Sequence, residues 1–402
     1  MSLGYTIKGF SMAALPPSIC SELATIAYNI KQVDRRGRYD LKASPAIKNH
    51  FSFNLTKGPI NGISGGAVAH AKGIQTGFVL VGQGSSPIGR SNPYKNDLVL
   101  AIRGTNSIYD TSTDLRANIS LTEFGASVHS GFNSLFITLQ AELAPYLSAV
   151  KSSGTVHCIG HSLGGAVASL VADWAKKRFN CKVKLYTFGA PKVGLHDFAL
   201  KTTNALEPEN IYRCVNGGDV VPMVPVWPFI HAPYNAHEYR LDNHTLLRPW
   251  HHLMKYYTEN CKAQSWDGIN KEISFNSFRR VTLSVQNAQQ VQSSVYWMNR
   301  LSEALITVLR EANLALLNSI QSGVANGLNL YDKIAMILAD KSLHAMDISS
   351  QLSGLLACML KFAGYGSHKI KELTTEFIRW VFERTLNMIN KLAREALKTT
   401  EH

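Results

Sequence analysis

Apolar positions along the chain follow two patterns, and the change from one to the other falls near residue 287. Before that point, short continuous apolar runs alternate with amphipathic stretches. Residues 18–32 carry Ile19, Leu23, Ile26, Ala27 and Ile30 at helical spacing with Ser18 as N-cap, which predicts the first helix. Residues 33–75 are mixed and rich in Gly, Lys and Asn, and predict only loops with a short strand. Residues 76–82 and 97–102 read as strands, the second an unbroken apolar run of the buried type. An amphipathic helix is expected at 132–150, and further strands at 155–159, 182–188 and 211–215. Several of these strands close in glycine-containing loops: Arg103–Gly104–Thr105, Gly189–Ala190–Pro191–Lys192–Val193–Gly194 and Asn216–Gly217–Gly218–Asp219. Strands alternating with helices in this way predict an α/β sheet with its active site at the strand ends.

Beyond residue 287 glycine becomes sparse and helical periodicity takes over. Trp297, Leu301, Ala304, Leu305, Val308, Leu309, Ala312, Leu316 and Leu317 form one apolar face. Three more helices are expected near 328–338, 346–362 and 369–397, with breaks at Gly323 and Gly327, Asp340–Lys341 and Gly364–Tyr365–Gly366. The expected organisation is therefore an α/β domain over 1–287 and a C-terminal helical domain over 288–402, a hairpin or small bundle. Three readings of the helical part stay open: a cap that packs on the α/β domain, a lid-like or membrane-contacting module, and a surface for a protein partner.

Composition narrows the class. With 402 residues, 45% hydrophobic and 17% charged, the chain is globular rather than disordered. The net charge of +13 is uneven: 12 Lys/Arg and 10 Asp/Glu lie from Gln290 onward, and 29 Lys/Arg and 18 Asp/Glu before it. A basic α/β domain favours anionic interfaces such as phospholipid surfaces. Nucleic acid is the rival partner, but no basic-aromatic platform or zinc spacing accompanies the charge, so none is expected. Arg35–Arg36–Gly37–Arg38 reads as a solvated loop. The 6 cysteines include no C-x-x-C pair, which argues against a zinc site and a dense disulfide framework. Cys158 and Cys214, in apolar runs, read as small core residues, and a reducing compartment is compatible with this usage. Pro16 and Pro17 cut short the apolar run behind Lys8, so no signal peptide of normal form is expected. No stretch reaches the length of a transmembrane helix. These readings point to a cytoplasmic chain or one secreted by a non-classical route; whether a native leader preceded Met1–Ser2–Leu3 stays open.

The chemistry centres on Gly160–His161–Ser162–Leu163–Gly164, a G-x-S-x-G run between an apolar strand and a small-residue helix. A serine hydroxyl is a weak nucleophile and must stand exposed beside a base, which a sharp strand-to-helix turn achieves. The glycines remove side chains that would clash in that turn, and the N–H of Leu163 then aims at a developing oxyanion. The order expected behind such an elbow is Ser, acid, His. Asp219 is the leading acid: it follows a strand end through two glycines and precedes Val220–Val221–Pro222–Met223–Val224–Pro225. For the base, the pair His251–His252 stands before an apolar-aromatic helix; His231, His237 and His244 are further candidates. His157 and His161 lie too near the serine in sequence to bend back onto it.

The chain resembles the class 3 lipases, the fungal-lipase-like branch of the α/β-hydrolases. The resemblance rests on Leu98–Val99–Leu100–Ala101–Ile102–Arg103–Gly104–Thr105, Asp114–Leu115, Val128–His129–Ser130–Gly131–Phe132, the elbow, Tyr186–Thr187–Phe188–Gly189–Ala190–Pro191–Lys192–Val193–Gly194 and Asp219 with its Val-Pro tail. These runs occur in family order and span roughly 18–265. The resemblance implies an α/β-hydrolase sheet with helices on both faces, Ser162 as nucleophile, Asp219 as orienting acid and a histidine of the 251–252 pair as base. The family spacing of an apolar residue and a Tyr behind the base fits both histidines. His252 is favoured, with His251 as the alternative, because a Leu directly after the base also occurs in fungal members. Thr105, after Arg-Gly, is implied as the second oxyanion residue beside Leu163.

The implied activity is serine carboxylester hydrolysis of lipid esters, as triacylglycerol lipase or phospholipase A1, with no metal or organic cofactor. The rival is a silent hydrolase fold that binds a partner through its helical tail. The family's lid falls at residues 106–113, here polar and without tryptophan, which predicts weak interfacial activation. The apolar run Val224–Pro225–Val226–Trp227–Pro228–Phe229–Ile230 is a second candidate cover, and packing against the helical domain is the other reading of it.

Overall fold

A computed structural model describes residues 14–31, 33, 37–63, 75–85, 91–105, 119–312, 330–366, 370 and 372–398. The strands are β1 (Phe51–Phe53), β2 (Ile60–Gly62), β3 (Thr76–Gly84), β4 (Leu98–Ile102), β5 (Ile119–Leu121), β6 (Ser127–His129), β7 (Thr155–His161), β8 (Lys182–Phe188), β9 (Ile211–Val215), β10 (Glu238–Arg240) and β11 (Asn270–Glu272). The main sheet runs β1-β3-β4-β7-β8-β9-β10-β11, with β2 also on β3, and β5 and β6 pair apart from it. From β4 to β10 the neighbours are parallel; β3 and β11 lie antiparallel at the two flanks. A parallel centre needs helical crossovers, and these cover both faces.

The period-2 alternation of the central strands sorts their side chains between two cores. Leu98, Leu100 and Ile102 of β4, with Val156 and Cys158 of β7, face one core with α2 (Ser130–Ser148) and α3 (Leu163–Phe179), and Phe198 and Leu206 of α4 (His196–Leu206) join them. Val99, Ala101, Tyr186 and Phe188 face the other, with α1 (Pro17–Ile26) and α5 (Met254–Cys261). The first helix stops at Ile26 and tightens into a 3-10 turn, Ala27–Ile30, short of the expected residue 32.

The C-terminal part holds α6 (Val295–Ala312), α7 (Leu330–His344), α8 (Met346–Phe362) and α9 (Thr375–Lys398). Their apolar faces join the first core, so Leu301, Leu305, Leu355, Leu356, Val381 and Phe382 are continuous with the sheet-side cluster. The segment ahead of α6 is tied to it by polar bonds: Asn276 N–H donates to Glu303 Oε1 (2.9 Å) and Val281 N–H to Thr307 Oγ1 (3.0 Å). Helix α9 also rests on two short 3-10 turns of the α/β part, Val221–Met223 and Pro249–His252. All six cysteines are buried and unpaired. Among the described residues no helix is long and apolar enough to cross a membrane.

Candidate active site

Ser162 stands where β7 gives way to α3, with φ 57° and ψ −132°. An L-residue is strained there, and such strain persists only where the surroundings enforce it. Tight packing does so here: a Cβ on Gly160 would fall 2.2 Å from the Gly164 carbonyl oxygen, and one on Gly164 2.1 Å from that of Ile102. The turn leaves Leu163 as the first helical residue, so its N–H belongs to the first-turn amides that lack an intrahelical acceptor.

His252 ends the Pro249–His252 turn. Its Nε2 lies 2.8 Å from Ser162 Oγ and its Nδ1 2.8 Å from Asp219 Oδ2. An ionised carboxylate only accepts, so Nδ1 carries the hydrogen and Nε2 accepts from the serine hydroxyl. His251 is turned away: a Cβ on Gly218 would meet its Nδ1 at 2.4 Å, and its ring lies 4.4 Å from that of His244. Of the adjacent pair, the structure brings His252 to the serine.

Asp219 takes two further donors. Tyr257 Oη–H donates to Oδ2 (2.6 Å) and Val221 N–H to Oδ1 (2.9 Å), while Tyr257 Oη accepts from Asn216 N–H (3.2 Å). Burial, then the Asp219 charge, push the Tyr257 pKa well up, so the hydroxyl stays a donor. The approach is close enough to require glycine at 189: at φ +56°, its Cβ would lie 2.6 Å from Asp219 Oδ2 and 3.0 Å from His252 Nδ1.

Behind His252 stands His161. Its Nε2 lies 2.8 Å from the His252 carbonyl oxygen and its Nδ1 2.7 Å from Tyr28 Oη. A carbonyl only accepts, so Nε2 bears the hydrogen and Nδ1 accepts from Tyr28. Burial, then the neighbouring His252, hold the His161 pKa well down and keep the ring neutral. Sequence reasoning missed Tyr28 and His161 as supports of His252, and Tyr257 as a donor to Asp219. Tyr257 left a signal, its place five residues after His252; Tyr28 lies 133 positions from His161 and left none.

Thr105 follows the buried Arg103, whose Nε donates to the Gly77 carbonyl (2.9 Å) and Nη2 to Thr76 Oγ1 (3.1 Å), fastening the end of β4 to β3. Gly104 packs against the elbow, 3.3 Å from Ser162 Cβ to its own would-be Cβ, which brings the Thr105 segment beside the serine. Ser162 is 2% exposed and His252 0%. The lid segment 106–113 lies outside the described residues, as do Asp114–Leu115 and Arg35–Arg36. The 224–230 run packs between the loop after β8 and the tail helices. Lys192 N–H donates to the Val224 carbonyl (2.8 Å), and Tyr331 Oη–H donates to the Trp227 carbonyl. With Met298, Leu305 and Phe382, Val226 and Trp227 line an apolar cavity of about 40 Å³.

The mixed sheet with helices on both faces and the strand–turn–helix elbow form the α/β-hydrolase type of fold. Residues 99–229 match the family described as Lipase (class 3). It is similar to Secreted mono- and diacylglycerol lipase 1 of Fusarium solani, 31% identical over 153 residues, covering 37% of this chain and 45% of that protein. Toxin TseL of Vibrio cholerae is 40% identical over 119 residues, covering 29% of this chain and 18% of the toxin. Phospholipase A(1) DAD1, chloroplastic, of Arabidopsis thaliana is 30% identical over 174 residues, 37% of this chain and 38% of that protein. The chain thus spans less than half the length of these relatives.

Proposed function

We propose that the protein is a serine carboxylester hydrolase acting on lipid esters, of triacylglycerol lipase or phospholipase A1 type. The observation that carries the reading is the unbroken chain from Ser162 Oγ through His252 to Asp219, with 2.8 Å at each link. Ser162 Oγ attacks the ester carbonyl while His252 Nε2 takes its proton, and Asp219 stabilises the imidazolium. The N–H groups of Thr105 and Leu163 hold the oxyanion, each worth on the order of 100- to 1000-fold in rate. His252 then protonates the departing alcohol, and water, activated by the same ring, releases the acid and restores the serine. The relatives named above include a mono- and diacylglycerol lipase and a phospholipase A1. The positive charge ahead of residue 290 favours an anionic lipid surface over a neutral one.

A fluorophosphonate probe tests this directly. One label per chain on Ser162 is expected, absent in Ser162→Ala and reduced at least 1000-fold in His252→Ala. A folded chain that takes no label would instead favour a silent fold that binds a partner. Triglyceride and phospholipid panels then separate the two lipid classes.

A further inference from the structure

We propose that Asp242, His244 and His251 form a binding site for a borderline divalent cation of the Zn²⁺ type, on the loops that carry the acid and the base. One ligand atom from each residue lies within 4.8 Å of the other two. A tetrahedral ion with bonds of about 2.0–2.1 Å holds its ligands about 3.3 Å apart. The remaining closure falls to His244, whose exposed side chain can turn inward.

The other two ligands are already set. Asp242 Oδ1 accepts from Gly217 N–H (2.8 Å) and His244 N–H (3.0 Å), which fixes the carboxylate and leaves Oδ2 toward the site, with Asn260 Nδ2 at 3.5 Å. His251 Nδ1 is buried and has no hydrogen-bond partner. A buried nitrogen in that state is unfavourable, and an ion would satisfy it. Two imidazoles and one carboxylate suit Zn²⁺, Ni²⁺ or Cu²⁺ and not Mg²⁺ or Ca²⁺, which take oxygen ligands. Arg248 opposes a cation nearby, and its guanidinium lies 5.6 Å from the Trp250 ring. The expectation against zinc drawn from cysteine spacing does not reach this set, which uses no sulfur.

The placement gives the ion a structural consequence. His251 adjoins His252, and its carbonyl accepts from Asn216 Nδ2 (3.0 Å). Asp242 holds Gly217, two residues before Asp219. An ion shared by Asp242, His244 and His251 would therefore tie the 216–219 loop to the turn bearing His252. The inference is independent of the proposed hydrolysis, because its readout is metal binding.

The full chain, stripped with EDTA, is titrated with Zn²⁺ alone by calorimetry, and with Co²⁺ by visible absorption. The expected result is one tight site per chain, a rise in unfolding temperature on Zn²⁺ addition, and Co²⁺ bands of four-coordinate intensity. His244→Asn and Asp242→Asn should each weaken that site at least tenfold and abolish the temperature rise, while His344→Ala, at the exposed last residue of α7, retains both. Circular dichroism verifies that each variant is folded. Equal Zn²⁺ affinity in His244→Asn and the parent chain would overturn the proposal, and so would Ca²⁺ or Mg²⁺ binding as tight as Zn²⁺.

Discussion

Asp219 has three donors, and removing one has a predictable sign. Tyr257→Phe keeps the ring and deletes the hydroxyl that donates at 2.6 Å. The carboxylate, with its charge less dispersed, becomes a stronger acceptor for His252 Nδ1–H and stabilises the imidazolium. KM should change little and stability should be lower by about 1–3 kcal/mol; steady-state kinetics and urea unfolding check both. Gly189→Ala should be more damaging. Its methyl group would push Asp219 and His252 apart, and turnover should fall by at least 100-fold while the chain still folds. The elbow was legible in the sequence because its chemistry needs neighbours in the chain: Gly160, Ser162 and Gly164. For the proposed base the sequence favoured His252 but kept His251 as the alternative, because the two share sequence surroundings and differ in the side of the 3-10 turn each faces. That choice is made by distant residues, Tyr28 and His161 among them, which periodicity does not report.

Among the elements, those with a strong period were readable and those with mixed faces were not. The expected 346–362 helix coincides with α8, Met346–Phe362, and the 182–188 strand with β8, Lys182–Phe188. Helix α4 went unseen because its buried face mixes Phe198, Ala199 and Leu206 with Thr202 and Thr203, which weakens the apolar signal. Strands β1 and β2 are three residues each and owe their form to pairing with β3. At this scale the tail helices are a test of support. Phe382 is 1% exposed and faces Trp227, so Phe382→Ala should cost about 3–5 kcal/mol in thermal or urea unfolding. Because α9 rests on the turn carrying His252, a chain ended ahead of α6 should aggregate and lose fluorophosphonate labelling. A soluble truncated chain labelling at the full rate would remove the supporting role.

Across the whole molecule, burial keeps a set of histidines neutral. His129 is held down to about 4, and His157, His161 and His231 also lie below the ordinary value. In the unfolded chain these rings protonate below about 6.5. Stability is therefore full above pH 6.5 and falls as pH drops toward 4, by about 1.4 kcal/mol per pH unit for each ring that stays neutral only when folded. Urea unfolding at a series of pH values measures this slope. His129→Asn retains a side-chain acceptor for Gly131 N–H and should reduce the slope by one proton. The six sealed thiols add a use of their own. Each is silent toward a thiol reagent while its surroundings hold, so the order in which they react is a timetable of the molecule coming apart. Cys358, on α8 with its thiol against the Ser284 carbonyl, times the release of the helical tail. Cys158 and Cys214, on central strands β7 and β9, time the loss of the sheet.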